Sequence, residues 1–264
     1  MTSVALASLS ISLYLVSTWL LLRHISQPKA PGKVIYCSWA AAITHAGFTS
    51  LNILSTGRFS FDFFNTASLI ALVVVLLLLS ASLRKPVEKL GVALFPIAAT
   101  MLGLVLVFEH DPSPAPPYNG AMTAHILTSI IAFSLLNIAA LQAVLLAIQE
   151  QQLKSHPPKR FIQSLPSLQA MESLLFQMLA TGILFLTISL ASGFAFIQDL
   201  FAQHLAHKTV LSILAWIIFS GLLIGRNRYG WRGKTAIQWT LSGFILLLLA
   251  YFGSKMVLEL ILHR

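Results

Sequence analysis

The chain has 264 residues, 57% of them hydrophobic and only 9% charged, with a mean hydropathy of +0.83 and a formal charge of +9. Soluble domains carry about 25% charged residues, so this composition excludes an ordinary water-soluble globule. Cys37 is the single cysteine, which excludes an internal disulfide and a cysteine metal cluster.

Eight long apolar segments follow one another: Val4–Leu22, Val34–Ile53, Phe64–Ser82, Gly91–Phe108, Met122–Ile148, Met171–Ser192, Thr209–Gly225 and Ala236–Leu258. A bilayer core about 30 Å thick takes roughly 20 residues of helix to cross. Each segment therefore predicts a transmembrane helix, and the missing period-two alternation excludes a membrane barrel. Pro96 is expected to kink the fourth, and Thr209–Gly225 is the shortest. Charges inside the segments are confined to their ends, with Glu172 opening the sixth and Lys255 closing the eighth. The expected fold class is all-α, a polytopic bundle of eight transmembrane helices forming one domain over residues 1–264.

Basic residues fall in every second gap. Arg23, Lys29 and Lys33 follow the first segment; Arg84, Lys85 and Lys89 the third; Lys154, Lys159 and Arg160 the fifth; Arg226, Arg228, Arg232 and Lys234 the seventh. These are 13 of the 17 lysines and arginines, and only Arg58, Lys208, Lys255 and Arg264 lie on the other side. The positive-inside rule then places both termini outside. A basic rim against anionic lipid accounts for the charge, and no nucleic acid is needed as a partner. The first segment has no basic n-region and is long for a cleaved signal, so it is expected to remain as a helix.

Among the gaps, Gln149–Ala170 contains Pro157, Pro158 and Pro166 and reads as a turn-rich inner connector. The outer run Glu109–Gly120 carries Pro112, Pro114, Pro116 and Pro117 and is expected to be stiff and exposed. In the outer link Gly193–Lys208, the stripe of Ile197, Leu200, Phe201, His204 and Leu205 predicts a short helix lying along the interface.

Six of the eight histidines gather toward the outer side: His45 within the second segment, His110, His125, His204, His207 and His263. An imidazole at membrane depth requires a partner. For His45 that partner is either a structural hydrogen-bonding group or a ligand. His125 lies in the expected first turn of the fifth helix, whose positive end disfavours imidazolium and keeps a lone pair available for a metal. There is no His-Glu-x-x-His, no glycine-rich phosphate loop and no convincing buried carboxylate pair, which disfavours metalloprotease, nucleotide and glycosidase chemistry.

The stretches Ser212–Trp216, Gly230-Trp231-Arg232-Gly233-Lys234, Gly243-Phe244 and Tyr251-Phe252-Gly253 resemble the membrane core of the cytochrome c assembly family, which handles haem in c-type cytochrome maturation. Leu165-Pro166-Ser167-Leu168, Thr181-Gly182, Ser192-Gly193, His45 with Gly57 and Asn65, and Met122–Phe133 are similar to the same arrangement. The resemblance implies a bacterial inner membrane and haem as cofactor. It also implies His125 and His263 as outer axial ligands to haem iron, and His45 as an intramembrane ligand. The second intramembrane histidine of that pattern falls at Ile224, and the tryptophan-rich haem-presenting loop falls on Gly193–Lys208, which has no tryptophan. His204 and His207, at i,i+3, are reserve ligands, and Arg58 and Lys208 stand where haem propionates would find positive charge.

Two functions remain open. One is haem binding or handling at the outer face in cytochrome c biogenesis, as a cofactor-holding component more than an enzyme. The other is an accessory or structural subunit without haem that stabilises or regulates another membrane protein. Membrane lipid is the expected partner in both. A transporter is disfavoured, because paired repeats with broken helices are missing.

Overall fold

Hydrocarbon offers no partner to a backbone N–H or C=O, so an apolar segment satisfies its own groups by coiling. The computed structural model describes residues 2–25, 27, 30–56, 62–85, 87–108, 120–154, 165–196 and 203–253. Among these there are eight α-helices and no strand. They are α1 (Thr2–Arg23), α2 (Gly32–Thr56), α3 (Phe63–Ser82), α4 (Gly91–Val107), α5 (Gly120–Lys154), α6 (Leu168–Phe196), α7 (Gln203–Tyr229) and α8 (Gly233–Leu248). A 3-10 turn, Glu88–Leu90, leads into α4, and a π-turn, Leu249–Gly253, follows α8. Among the described residues, seven of the eight helices are long and apolar enough to cross a membrane. The exception, α2, has 25 residues but carries Ser38, Thr44, His45, Thr49, Ser50 and Asn52.

Each expected segment contains a helix, with different ends. α5 begins at Gly120, which puts His125 in its second turn, not its first. Pro96 lies inside α4, which continues as one helix to Val107. The interfacial helix expected over Gly193–Lys208 falls partly outside the described residues. Gly193–Phe196 completes α6, and Gln203–Lys208 opens α7, which becomes 27 residues long. Prolonging a helix orders one residue per hydrogen bond, whereas a new helix must form its own costly nucleus. Residues 197–202 lie outside the described residues, as do 109–119 and 155–164, where the proline-rich links were expected, and Lys255.

The chain divides into two compact units: Met1–Pro116 with Lys159–Leu165, and Pro117–Pro158 with Pro166–Arg264. In the first, α1 packs on α2 and α4, and α3 on α4 and α2. Ala7, Ala41, Ala42 and Ala98 are fully buried, small enough for the helix axes to approach closely. The Ser10 hydroxyl crosses from α1 to donate to the Ala41 carbonyl of α2 at 2.8 Å. Ala7, Phe48, Phe64, Leu102 and Val105 form one apolar cluster of this unit.

In the second unit α5 packs chiefly on α6 and also on α8, while α7 packs on α8 and α6. Gly182 of α6 lies so close to α5 that a Cβ there would stand 2.8 Å from Leu136 Cγ. The Gly-Trp-Arg-Gly stretch makes the α7–α8 turn. Gly230 and Gly233 have φ of 67° and 52°, a region that glycine enters without steric cost. The Gly230 N–H closes the last turn of α7 on the Arg226 carbonyl, and the Trp231 N–H reaches that of Gly225.

Candidate functional site

His125 projects from α5 toward the end of α6. Its Nδ1 lies 2.9 Å from the Ser189 carbonyl oxygen and 3.1 Å from the Ser192 hydroxyl. A carbonyl only accepts, so Nδ1 carries the proton and donates it. The Ser192 hydroxyl donates to the same Ser189 carbonyl at 2.9 Å, which leaves its oxygen lone pairs facing Nδ1–H. In the neutral ring Nε2 then holds the lone pair, and no described residue hydrogen-bonds it. Gly193 packs on the ring: a Cβ there would lie 3.2 Å from His125 Cε1. One ring nitrogen is anchored to a carbonyl and the other has no described partner, a geometry that ligating histidines share.

A second layer lies beneath it. The Ser129 hydroxyl, one helical turn along α5, donates to the His125 carbonyl at 2.7 Å and sits 2.6 Å from the Ser189 hydroxyl of α6. Tyr251, in the π-turn after α8, packs its ring on that of Phe133 of α5 with centroids 4.6 Å apart. α5 and α6 of the second unit thus converge on one imidazole.

His45 is held differently. It is fully buried in the first unit, with Nδ1 3.3 Å from the Tyr14 hydroxyl of α1 and Nε2 2.9 Å from the Ser68 hydroxyl of α3. Tyr14 in turn stacks on Phe95 of α4 with ring centroids 6.0 Å apart. Both ring nitrogens of His45 are engaged, so the structural hydrogen-bonding role is the one this conformation displays. Ile224, where the resemblance implies the other intramembrane histidine, is 58% exposed on α7.

Of the remaining candidates, His207 is exposed in the first turns of α7, with the half-buried Lys208 beside it. The backbone of His204 belongs to the same turns, while its side chain, His263 and Arg58 lie outside the described residues. Sequence reasoning missed Tyr14 and Ser68 beside His45, and Ser129, Ser189 and Ser192 beside His125. Ser129 alone had a local signal, four residues from His125 on the same helix face.

At the far end of α6, Glu172 pairs with Arg226 at the end of α7, and Arg232 Nε lies 3.9 Å from the same carboxylate. The Arg226 guanidinium covers the Phe176 ring at 4.2 Å. The charge at the start of the sixth segment therefore holds α6 to the α7–α8 turn.

Among the described residues no three His, Cys, Asp or Glu side chains gather as a metal site. Haem brings its own equatorial nitrogens and asks the protein for axial donors, which is what His125 Nε2 offers. The residues around His125 fit that demand, and those around His45 do not.

Comparison with known proteins places this architecture. The family described as cytochrome C assembly protein matches residues 32–262. Inner membrane protein YpjD of Escherichia coli strain K12 is 30% identical over 259 residues, 97% of each chain. The uncharacterized 28.8 kDa protein in the nifR3-like 5′ region of Azospirillum brasilense is 30% identical over 200 residues, 73% of each chain. Cytochrome c biogenesis protein CcsA of Chlamydomonas reinhardtii is 26% identical over 139 residues, covering 51% of this chain and 38% of its own. No solved structure matches. With its apolar helices and a full-length relative named for the inner membrane, this multi-pass inner-membrane protein belongs to the cytochrome c assembly protein family.

Proposed function

We propose that the protein serves cytochrome c biogenesis by binding or handling haem at the outer end of its second unit, as a cofactor-holding component more than an enzyme. The observation that carries this reading is the His125 imidazole, whose Nδ1–H is anchored on the Ser189 carbonyl so that Nε2 presents a lone pair. The relative named as a cytochrome c biogenesis protein supports the same direction. When bound, haem would supply a redox-active iron able to exchange axial ligands. His125 is the first axial donor in this reading and His263 the second, with His207 and His204 in reserve. Lys208 would be the propionate partner of haem within this unit. Thirteen basic residues on alternate links support an orientation with both termini outside.

A second reading, a haem-free accessory subunit acting on another membrane protein, is favoured by three observations. Both His45 nitrogens are engaged, Ile224 stands where the resemblance implies the other intramembrane histidine, and the link over residues 193–208 has no tryptophan. An absorption spectrum of the detergent-purified protein, with the iron-to-protein ratio, separates the two. The haem reading expects a Soret band, lost in H125A and in H263A. Wild-type haem content and an unchanged spectrum in both variants would overturn the axial pair, and iron-free wild-type protein would favour the accessory subunit.

A further inference from the structure

The seam between α5 and α6 carries a pair of hydroxyls beneath His125. Gly182 of α6 brings the two helices close, since a Cβ there would stand 2.8 Å from Leu136 Cγ. About two turns farther along both helices, Ser189 and Ser129 take the matching positions. Their hydroxyl oxygens lie 2.6 Å apart, and both residues are buried. A serine inside a helix commonly returns its hydrogen to a carbonyl of the preceding turn. Ser129 does so, donating to the His125 carbonyl at 2.7 Å.

That bond decides the direction of the pair. A carbonyl only accepts, so the one hydroxyl hydrogen of Ser129 points at the His125 carbonyl. The hydrogen between the two serines then belongs to Ser189, which donates across the seam to the Ser129 oxygen. Residue 189 is therefore tied to α5 twice. Its carbonyl takes the His125 Nδ1 proton at 2.9 Å, and its hydroxyl gives a proton one helical turn away. The donations close a loop: His125 to Ser189, Ser189 to Ser129, and Ser129 back to His125. Ser192 Oγ, 3.1 Å from Nδ1, does not select a tautomer, because a hydroxyl can accept from Nδ1–H or donate to a bare Nδ1. Only the Ser189 carbonyl discriminates, and it does so only while it is held close.

We infer that Ser189 is a positioning residue for His125 through its hydroxyl. Anchored on Ser129, that hydroxyl holds the Ser189 carbonyl against Nδ1–H and so keeps the imidazole in one tautomer with Nε2 presented. Ser129 is the other half of the same tether. The use of this device rests on the haem reading; its geometry does not. Partners behind a ligating histidine typically change metal affinity by about 10–100-fold when lost.

Full-length wild-type protein, S189A, S129A and S129A/S189A, purified in detergent, provide the test. S189A removes only the tether, because the backbone carbonyl stays and Ser129 keeps its bond to His125. S129A leaves the Ser189 hydroxyl without its acceptor, whereas the double variant removes donor and acceptor together, a change that can be nearly neutral for stability. In haem-free protein, ¹⁵N shifts of the His125 ring at one fixed pH, assigned against H125A, report the tautomer. The expected result is the Nδ1–H form in wild type and a mixed population in all three variants. Haem titration is expected to show about tenfold weaker binding in each. The double variant should be little worse than either single one, because both cut the same tether. Thermal midpoints separate positioning from mere support. S129A should melt lower and the double variant should recover, while its mixed tautomer and weaker binding persist. An unchanged tautomer with wild-type affinity, in folded S189A or in the double variant, would overturn the inference, as would affinity that recovers together with stability. If wild type itself takes up no haem, the proposed function fails, and the tautomer comparison alone still decides the role of Ser189.

Discussion

A methyl group on Gly193 would arrive 3.2 Å from His125 Cε1, close enough that the imidazole must give way. G193A is therefore expected to tip the ring off the Ser189 carbonyl and lower haem retention by about tenfold. G103A serves as the control, since a Cβ there meets nothing nearer than Ile11 at 3.9 Å. His45 should respond in the opposite sense. H45A strands the Tyr14 and Ser68 hydroxyls in the core, at a cost of about 1–3 kcal/mol for each unsatisfied group. Thermal unfolding should record that loss while the outer haem spectrum stays largely intact; disappearance of the whole low-spin signal in H45A would make His45 an axial ligand instead. Both histidines stood out in the sequence because imidazoles are rare in apolar helices. Their partners did not. The group that fixes the His125 tautomer is a backbone carbonyl, which every residue possesses. The groups flanking His45 lie 31 positions before it and 23 after it, beyond the reach of any helical spacing.

The helix ends were harder to read than the helices. Nothing in Gln203–Lys208 interrupts α7, yet the apolar signal weakens there because His204, His207 and Lys208 are polar, so composition places the boundary several residues late. The π-turn left no mark, since Leu249-Ala250-Tyr251-Phe252-Gly253 suits an α-helix equally well. The α7–α8 turn was more legible through its two glycines, although its coupling to α6 was not. E172A removes the partner of Arg226, whose guanidinium stays against Phe176 in a partly buried setting. Leaving a half-buried charge unpaired should cost about 2 kcal/mol, less than for a fully buried pair because water still reaches it. The double variant E172A/R226A should recover part of that loss in a denaturation midpoint.

At the scale of the molecule, alternating charge makes a sharp expectation about sidedness. Thiol labelling in a Cys37-free background should reach cysteines placed at Ser60, Pro114 and Gln203 from outside, and those at Lys33, Lys89 and Ser155 only from inside. Reversal at two or more of these sites would sink the orientation. The hydrogen-bond pattern of the first unit also bears on how the chain enters the bilayer. Ser8, Ser12, Thr18, Ser38, Thr44 and Thr49 return their hydroxyls to carbonyls of their own helix, so these groups are satisfied as soon as that helix forms. His45 has no such local solution. Its nitrogens find Tyr14 only when α1 is beside α2, and Ser68 only after α3 has been synthesised. α2 is also the helix that length and composition leave outside the membrane-crossing set. It should therefore be a dependent passenger during synthesis, poorly inserted when presented alone to a translocon. Insertion should recover when α1 and α3 flank it, or when H45L removes the unmet polarity, as glycosylation mapping in microsomes would register.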